Sequence, residues 1–252
     1  MQKNKPCVFK EHILSKGIKV IEGDFKDNDY SWKLDDNKAS EHLKIMVELQ
    51  KAIAGYTGVV GSRLPNCIGE QIEESKVQVR RLKRDINNLK NYGAMNKFEE
   101  ILLDKGEYFL ERAEGAISIA RDSRYIDRIY RSMRANEICI GNVTPGNIGK
   151  KEQLFIIDIS RCSYNLLEFD AISFFSKAKR KGCSVNFRKL SKEYIDEHSL
   201  EEKSEEFIIA MINYPYEFMK SCSRYRSLKK NWTEEEYAKN LMEAMLKDGV
   251  EI

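Results

Sequence analysis

The stretch Cys139-Ile-Gly-Asn-Val-Thr-Pro-Gly-Asn-Ile-Gly149, followed by Leu154-Phe-Ile-Ile-Asp-Ile159, constrains this chain more than any other part of it. Gly141, Pro145, Gly146 and Gly149 permit sharp backbone reversals, so residues 139–149 read as a tight loop. Leu154 to Ile157 is an unbroken apolar run, the pattern of a short strand covered on both faces. A carboxylate that emerges from such a run is costly to bury unless something pairs with it, so Asp158 marks a metal or ligand position. Asn147 lies earlier in the loop and supplies a second oxygen donor that can converge with Asp158 on one Mg²⁺. The plainer reading is a Gly/Pro loop that feeds a buried strand, with Asn147 and Asp158 in local hydrogen bonds.

Around this stretch, 252 residues with 42% apolar content can bury a good core as one large or two small domains. The 43 basic and 40 acidic residues nearly cancel, leaving a net charge of +3. Basic clusters at 76–90, 177–181 and 224–230 are interleaved with apolar or acidic residues, as on solvated helix faces. No recognition motif accompanies them, so nucleic acid is not an expected partner. The six cysteines are scattered without a Cys-x-x-Cys pair, and the three histidines are not at ligand spacing, which argues against zinc. The N-terminus lacks an apolar leader and no run approaches the roughly 18 apolar residues of a membrane span. The expectation is an intracellular, cytoplasmic chain with reduced thiols.

Helical periodicity dominates the rest. Val8 to Leu14 predicts a short helix and Ile18 to Ile21 a short strand, while Gly55, Gly58 and Gly61 read as a loop. Asn37 to Ala54 is amphipathic, with Asp35, Asp36 or Asn37 as its cap. Glu70 to Tyr92 carries a thin stripe of Ile72, Val79, Leu82, Ile86 and Leu89, and Gly93 predicts the stop. Lys97 to Arg121 is the strongest helix, its apolar face including Phe98, Tyr108, Phe109 and Ala113. Arg124 to Arg134 is a shorter helix expected to carry Tyr125, Ile126, Ile129, Tyr130 and Met133 into the central loop. Ser160 to Asn165 reads as a turn, and Asp170 as the N-cap of a helix from Ala171. Leu200 to Asn213 is helical until Pro215, with a continuation over Tyr216 to Arg224. Thr233-Glu-Glu-Glu236 opens the last helix as a capping box.

The central loop and strand resemble the catalytic segment of kinase-like phosphotransferases of the aminoglycoside and choline kinase type. In that superfamily the loop reads His-Gly-Asp-x-x-x-x-Asn and the next strand ends in Ile-Asp-Phe or similar. Here the register gives Ile140-Gly141-Asn142 through Asn147, then Ile157-Asp158-Ile159. The resemblance makes Asn147 and Asp158 the Mg²⁺-holding positions and Asp170 a structural brace for the loop. It puts Asn142 at the general-base position, where an amide cannot take a proton from an attacking hydroxyl.

Upstream, Phe98-Glu-Glu-Ile-Leu-Leu103 with Tyr108-Phe-Leu-Glu-Arg-Ala-Glu-Gly-Ala-Ile117, Ser123-Arg-Tyr-Ile-Asp127 and Glu48-Leu49-Gln50 are similar to the CotS group of spore-coat kinase-like proteins. That group often has His where Gln50 stands. What the resemblance implies is a mainly α (α+β) chain: residues 1–34 a vestigial or irregular segment, residues 35–252 the helical C-terminal lobe of an aminoglycoside phosphotransferase-like fold. The nucleotide lobe, with its Gly-rich loop and its strand Lys paired to a helix Glu, is not visible. The resemblance therefore implies a pseudokinase of the spore coat acting by assembly contacts with coat proteins or with itself, Mg-ATP binding being at most weak. The alternatives are a residual small-molecule phosphotransferase and a helical module with basic faces for an acidic partner. If the lobe is absent, an apolar patch near Tyr30, Trp32 and residues 55–65 is expected to be open for self-association.

Overall fold

The structure, a computed structural model, describes residues 8–21, 32–58, 62–228 and 230–252. Two elements open the chain: helix α1 (Val8–Ser15) and strand β1 (Lys19–Val20). Four helices follow, α2 (Asp36–Ile53), α3 (Glu70–Tyr92), α4 (Lys97–Asp122) and α5 (Tyr125–Ala135). Four short strands form the centre, β2 (Ile138–Cys139), β3 (Ile148–Lys150), β4 (Leu154–Ile156) and β5 (Ser163–Tyr164). The remainder is helical: α6 (Glu168–Arg180), α7 (Phe187–His198), α8 (Lys203–Asn213), α9 (Tyr216–Ser227) and α10 (Glu234–Asp248). The chain is thus mainly α with a small β centre.

Local chemistry explains most helix ends. Asp35 accepts from the N–H of Lys38 and Asn96 from that of Glu99, each satisfying one orphan donor of a first turn. Gly93, at φ 80°, ends α3 where the chain turns into α4. Thr233 and Glu236 form the reciprocal capping box that starts α10. Tyr214 and Pro215 separate α8 from α9, because proline cannot supply the next helical N–H.

Helix α4 is the spine, packed against α3, α8 and α10. Its approach to α3 is close: a Cβ at Gly106 would lie 3.0 Å from the Ile86 side chain, so the absence of a side chain there lets the helices touch. The expected apolar face is buried at Phe98, Phe109 and Ala113, whereas Tyr108 is 49% exposed. The basic run of α3 is partly neutralised in place, by Glu73 with Lys76, Glu114 with Lys83 and Glu107 with Lys90.

Four findings depart from the sequence reading. First, residues 8–21 form the expected helix and strand, but these are part of the same core as the other helices instead of a vestigial segment. Phe9, Ile13 and Ile18 are buried, and β1 pairs in parallel with β4, which pairs antiparallel with β3. Second, the Ser160–Asn165 turn contains β5, which pairs antiparallel with β2 and lays Tyr164 opposite Ile138.

Third, the described part of the expected open patch, at Tyr56 and Trp32, is packed. Tyr56 is buried against the rings of Phe9 and His12, each 5.0 Å away, and the Trp32 ring is half-buried 6.0 Å from Phe174. Tyr30, Val59, Val60 and Gly61 lie outside the described residues. Fourth, α5 turns only Tyr125 and, in part, Ile129 of its expected apolar set inward. Tyr125, Arg128 and Ser132 are buried, while Ile126, Tyr130 and Met133 face solvent. The helix is amphipathic as read, but buried carboxylates draw its arginines inward.

Candidate functional site

The loop between β2 and β3 is held from three sides. Its backbone turns at Gly141, in the left-handed region at φ 73°, where a Cβ would sit 2.4 Å from the Arg161 carbonyl oxygen. Only glycine fits that approach without moving the neighbouring chain. On one side, Asp170 accepts from the N–H groups of Ile140 (2.7 Å) and Gly141 (2.9 Å). Helix α6 begins at Glu168, and Leu167 occupies the cap position without a side-chain bond. Asp170 therefore sits inside the first turn and braces the loop; it is not the N-cap of its own helix.

Behind Asp170 lies a buried polar network. The Gln50 amide donates to Asp170 Oδ2 at 2.8 Å, and its Oε1 faces the Tyr194 hydroxyl (3.0 Å) and His198 Nε2 (2.8 Å). The single Tyr194 proton is shared between Gln50 and the carbonyl of Leu167, 2.8 Å away. Burial lowers the His198 pKa to about 4, so at neutral pH His198 is uncharged and its Nε2–H donates to Gln50. Burial raises the Asp170 pKa to about 6, against the lowering effect of its three donors.

On the second side, His42 of α2 donates from Nε2 to the Val143 carbonyl at 2.7 Å, and burial lowers its pKa to about 4 as well. On the third side, Asn147 ties the loop to the end of β4. Its Oδ1 accepts from Asp158 N–H (2.7 Å), and its Nδ2 donates to the carbonyls of Asn142 (2.7 Å) and Asp158 (3.1 Å). The structure thus brings Asn147 and Asp158 together, and it does so through main chain. Asn147 is fully buried with its amide engaged at both ends.

Asp158 is half-buried, and its Oδ1 accepts from Ser160 N–H at 2.8 Å. The Ser160 hydroxyl and N–H, with Arg161 nearby, hold the carboxyl below its ordinary range and ionised at neutral pH. A Mg²⁺ ion here would draw on that carboxylate and on the remaining lone pair of a buried amide oxygen. As arranged, the pair does not present two open oxygens. Among the described residues no group of three or more His, Cys, Asp and Glu side chains is placed to hold a metal. Asn142, at the expected base position, accepts at Oδ1 from the Thr144 hydroxyl (3.1 Å).

A second cluster lies under the loop. Arg131 bridges Glu137 (2.7 Å) and Glu168 (2.7 Å), while Arg128 approaches Glu168 at 3.3 Å and donates to the Ser123 carbonyl. Ser204 of α8 donates to Glu168 at 2.8 Å. Sequence reading missed this cluster, along with His42 and the Tyr194–His198 pair; Gln50 entered only through the family resemblance. One signal was available: His42 and Gln50 flank Met46 at four-residue spacing on the buried face of α2, and a polar residue on such a stripe must find a partner.

Beside the loop a cleft of about 810 Å³ opens between α3, α6 and α9, bordered by Gly141, Arg161, Asp170, Glu74, Glu217 and Lys220. It could admit a small molecule next to the loop, and both signs of charge line it.

No family model matches the chain, and no curated protein matches it in sequence. Among solved structures, the fold is similar to that of an aminoglycoside phosphotransferase from Alicyclobacillus acidocaldarius subsp. acidocaldarius DSM 446, with a TM-score of 0.63 and 10% identity. The likeness covers 86% of this chain and 64% of that one, so this chain spans somewhat under two thirds of that protein's length. No helix among the described residues is long and apolar enough to cross a membrane. The fold is thus like that of an aminoglycoside phosphotransferase.

Proposed function

We propose that this chain is a catalytically silent kinase-like protein that works by contact, as a component of spore-coat assembly. The spore-coat setting rests on the CotS-like segments of the sequence. The silence rests on one observation: residues 139–149 contain no carboxylate, and the base position holds Asn142, whose Oδ1 accepts the Thr144 hydroxyl. Phosphoryl transfer of this type needs positioned phosphates, metal and a group that orients the attacking oxygen. The polar groups of this loop instead serve its own shape, through His42, Asn147 and Asp170.

The second reading, a residual small-molecule phosphotransferase, is favoured by the ionised, half-exposed Asp158 and by the cleft beside Gly141. Mg-ATP would then be the phosphoryl source. Calorimetric titration with Mg-ATP, with Asp158→Ala as the control, separates the two. The silent reading expects no heat of binding up to millimolar nucleotide. Metal-dependent binding that Asp158→Ala abolishes, with turnover that rises steeply in Asn142→Asp, establishes the second reading instead.

A further inference from the structure

Helix α5 presents an apolar stripe to solvent. Ile126, Tyr130 and Met133 are 58%, 55% and 56% exposed, with half-buried Ile129 between them. Their spacing of four and three residues makes one continuous stripe along the helix. The inward face is polar because Arg128 and Arg131 are held by Glu168 and Glu137. The stripe therefore cannot be relieved by rotating the helix, since that would strand the buried charges.

The charges beside the stripe indicate its occupant. At about 100° per residue, Asp127 and Arg134 fall within about 20° of each other, on the solvent-side flank of the stripe. The other flank, at Tyr125 and Ser132, is buried in the molecule. When two such helices pair antiparallel about a two-fold axis near Tyr130, like flanks face each other. Asp127 of each copy then meets Arg134 of the other, twice over, and Ile126 meets Met133 across the axis. Asp127 is ion-paired with Arg124 at 2.7 Å, but Arg134 has no acidic partner of its own among the described residues.

We infer that α5 is a self-association surface: a second copy of this chain packs its own α5 antiparallel on the Ile126–Tyr130–Met133 stripe, with Asp127–Arg134 pairs closing both ends. The inference does not depend on whether the loop is catalytic. A patch this narrow falls short of the roughly 1,000 Å² of a stable specific interface, so the dimer is weak and concentration-dependent.

Sedimentation velocity of the full chain, from micromolar to near-millimolar concentration, reads the association. Asp127→Arg and Arg134→Asp each place like charges at both contacts, and each weakens dimerisation by about tenfold or more. The double variant, which exchanges the signs, restores it. Tyr130→Cys supplies an independent readout: oxidation gives a 130-to-130 cross-linked peptide by mass spectrometry, which survives as a test even if a charge variant fails to fold. Thermal melts check that each variant is native. A chain that stays monomeric throughout overturns the inference. So does a double variant as weak as its parents, or a dimer broken by Leu246→Lys on the exposed face of α10 and untouched by Met133→Lys.

Discussion

Two carboxylates on the first turn of α6, two residues apart and both almost fully buried, solve the same problem in opposite ways. Glu168 and Asp170 are 0% and 1% exposed. Asp170 is surrounded by neutral donors, two main-chain N–H groups and one amide, and burial still raises its pKa to about 6. Burial pushes Glu168 up too, but the hydrogen bond and charge of Arg131 outweigh it, and its pKa falls below the ordinary 4.5. Neutral hydrogen bonds orient a buried charge without fully replacing water; a guanidinium replaces it. The division suits the positions. Asp170 aligns the backbone of a loop, which requires direction, whereas Glu168 joins α5, α6 and α8, which requires strength.

The largest effect is expected at Glu168. Glu168→Ala leaves Arg128 without its carboxylate in the core, Arg128 being 1% exposed and Arg131 only a quarter exposed at its side chain. The expected cost is about 3–5 kcal/mol, read from the midpoint of urea unfolding. A cost under about 1 kcal/mol would mean that the guanidiniums find other partners, and the contrast with Asp170 would fail.

Asp170→Asn is the next largest. It turns one carboxylate oxygen into a donor facing a donor, at an expected cost of about 1–3 kcal/mol at neutral pH. It also changes the pH profile. The Asp170 pKa is raised from 3.8 to about 6, so its favourable share of stability is full below pH 3.8 and is lost as pH rises through about 6. The stability advantage of the native chain over Asp170→Asn should shrink, by on the order of 2–3 kcal/mol, between pH 4 and 7. Taking the difference also cancels His42 and His198, whose lowered pKa values make the native state lose stability as pH falls. Glu168 has the opposite sign to Asp170: its share is present above pH 4.5 and lost as pH falls below that value.

Tyr194→Phe is expected to have the smallest effect. Removing the hydroxyl leaves the Leu167 carbonyl without it, while Gln50 Oε1 keeps His198. The expected cost is about 1 kcal/mol in the same urea titration. A cost equal to that of Asp170→Asn would show that the donor cage acts as one unit with its second layer, so that the two could not be separated.

Local signals in the chain carried the loop, the run into Asp158, the stop at Gly93, the break at Pro215 and the capping box at Thr233. Each depends on φ preferences or on hydrogen bonds within about four residues, and such physics operates before any tertiary contact forms. The likeness of the fold to an aminoglycoside phosphotransferase was also legible, because the loop and strand pattern is specific. The partners of the site residues were not. Asp170 meets Ile140 and Gln50 across 30 and 120 residues, and His42 meets Val143 across 101. Helical periodicity showed that α5 has two faces, but not which one turns inward. Apolar stripes usually do, and here buried Glu137 and Glu168 claim the arginines instead. Likewise β5 is only two residues long, too short for a pattern, and becomes a strand because β2 offers it hydrogen-bond partners, while the short strand at 18–21 was legible but its pairing with β4 was not. Local sequence limits what each segment can be, and the long-range pairing of buried polar groups sets which way each segment faces.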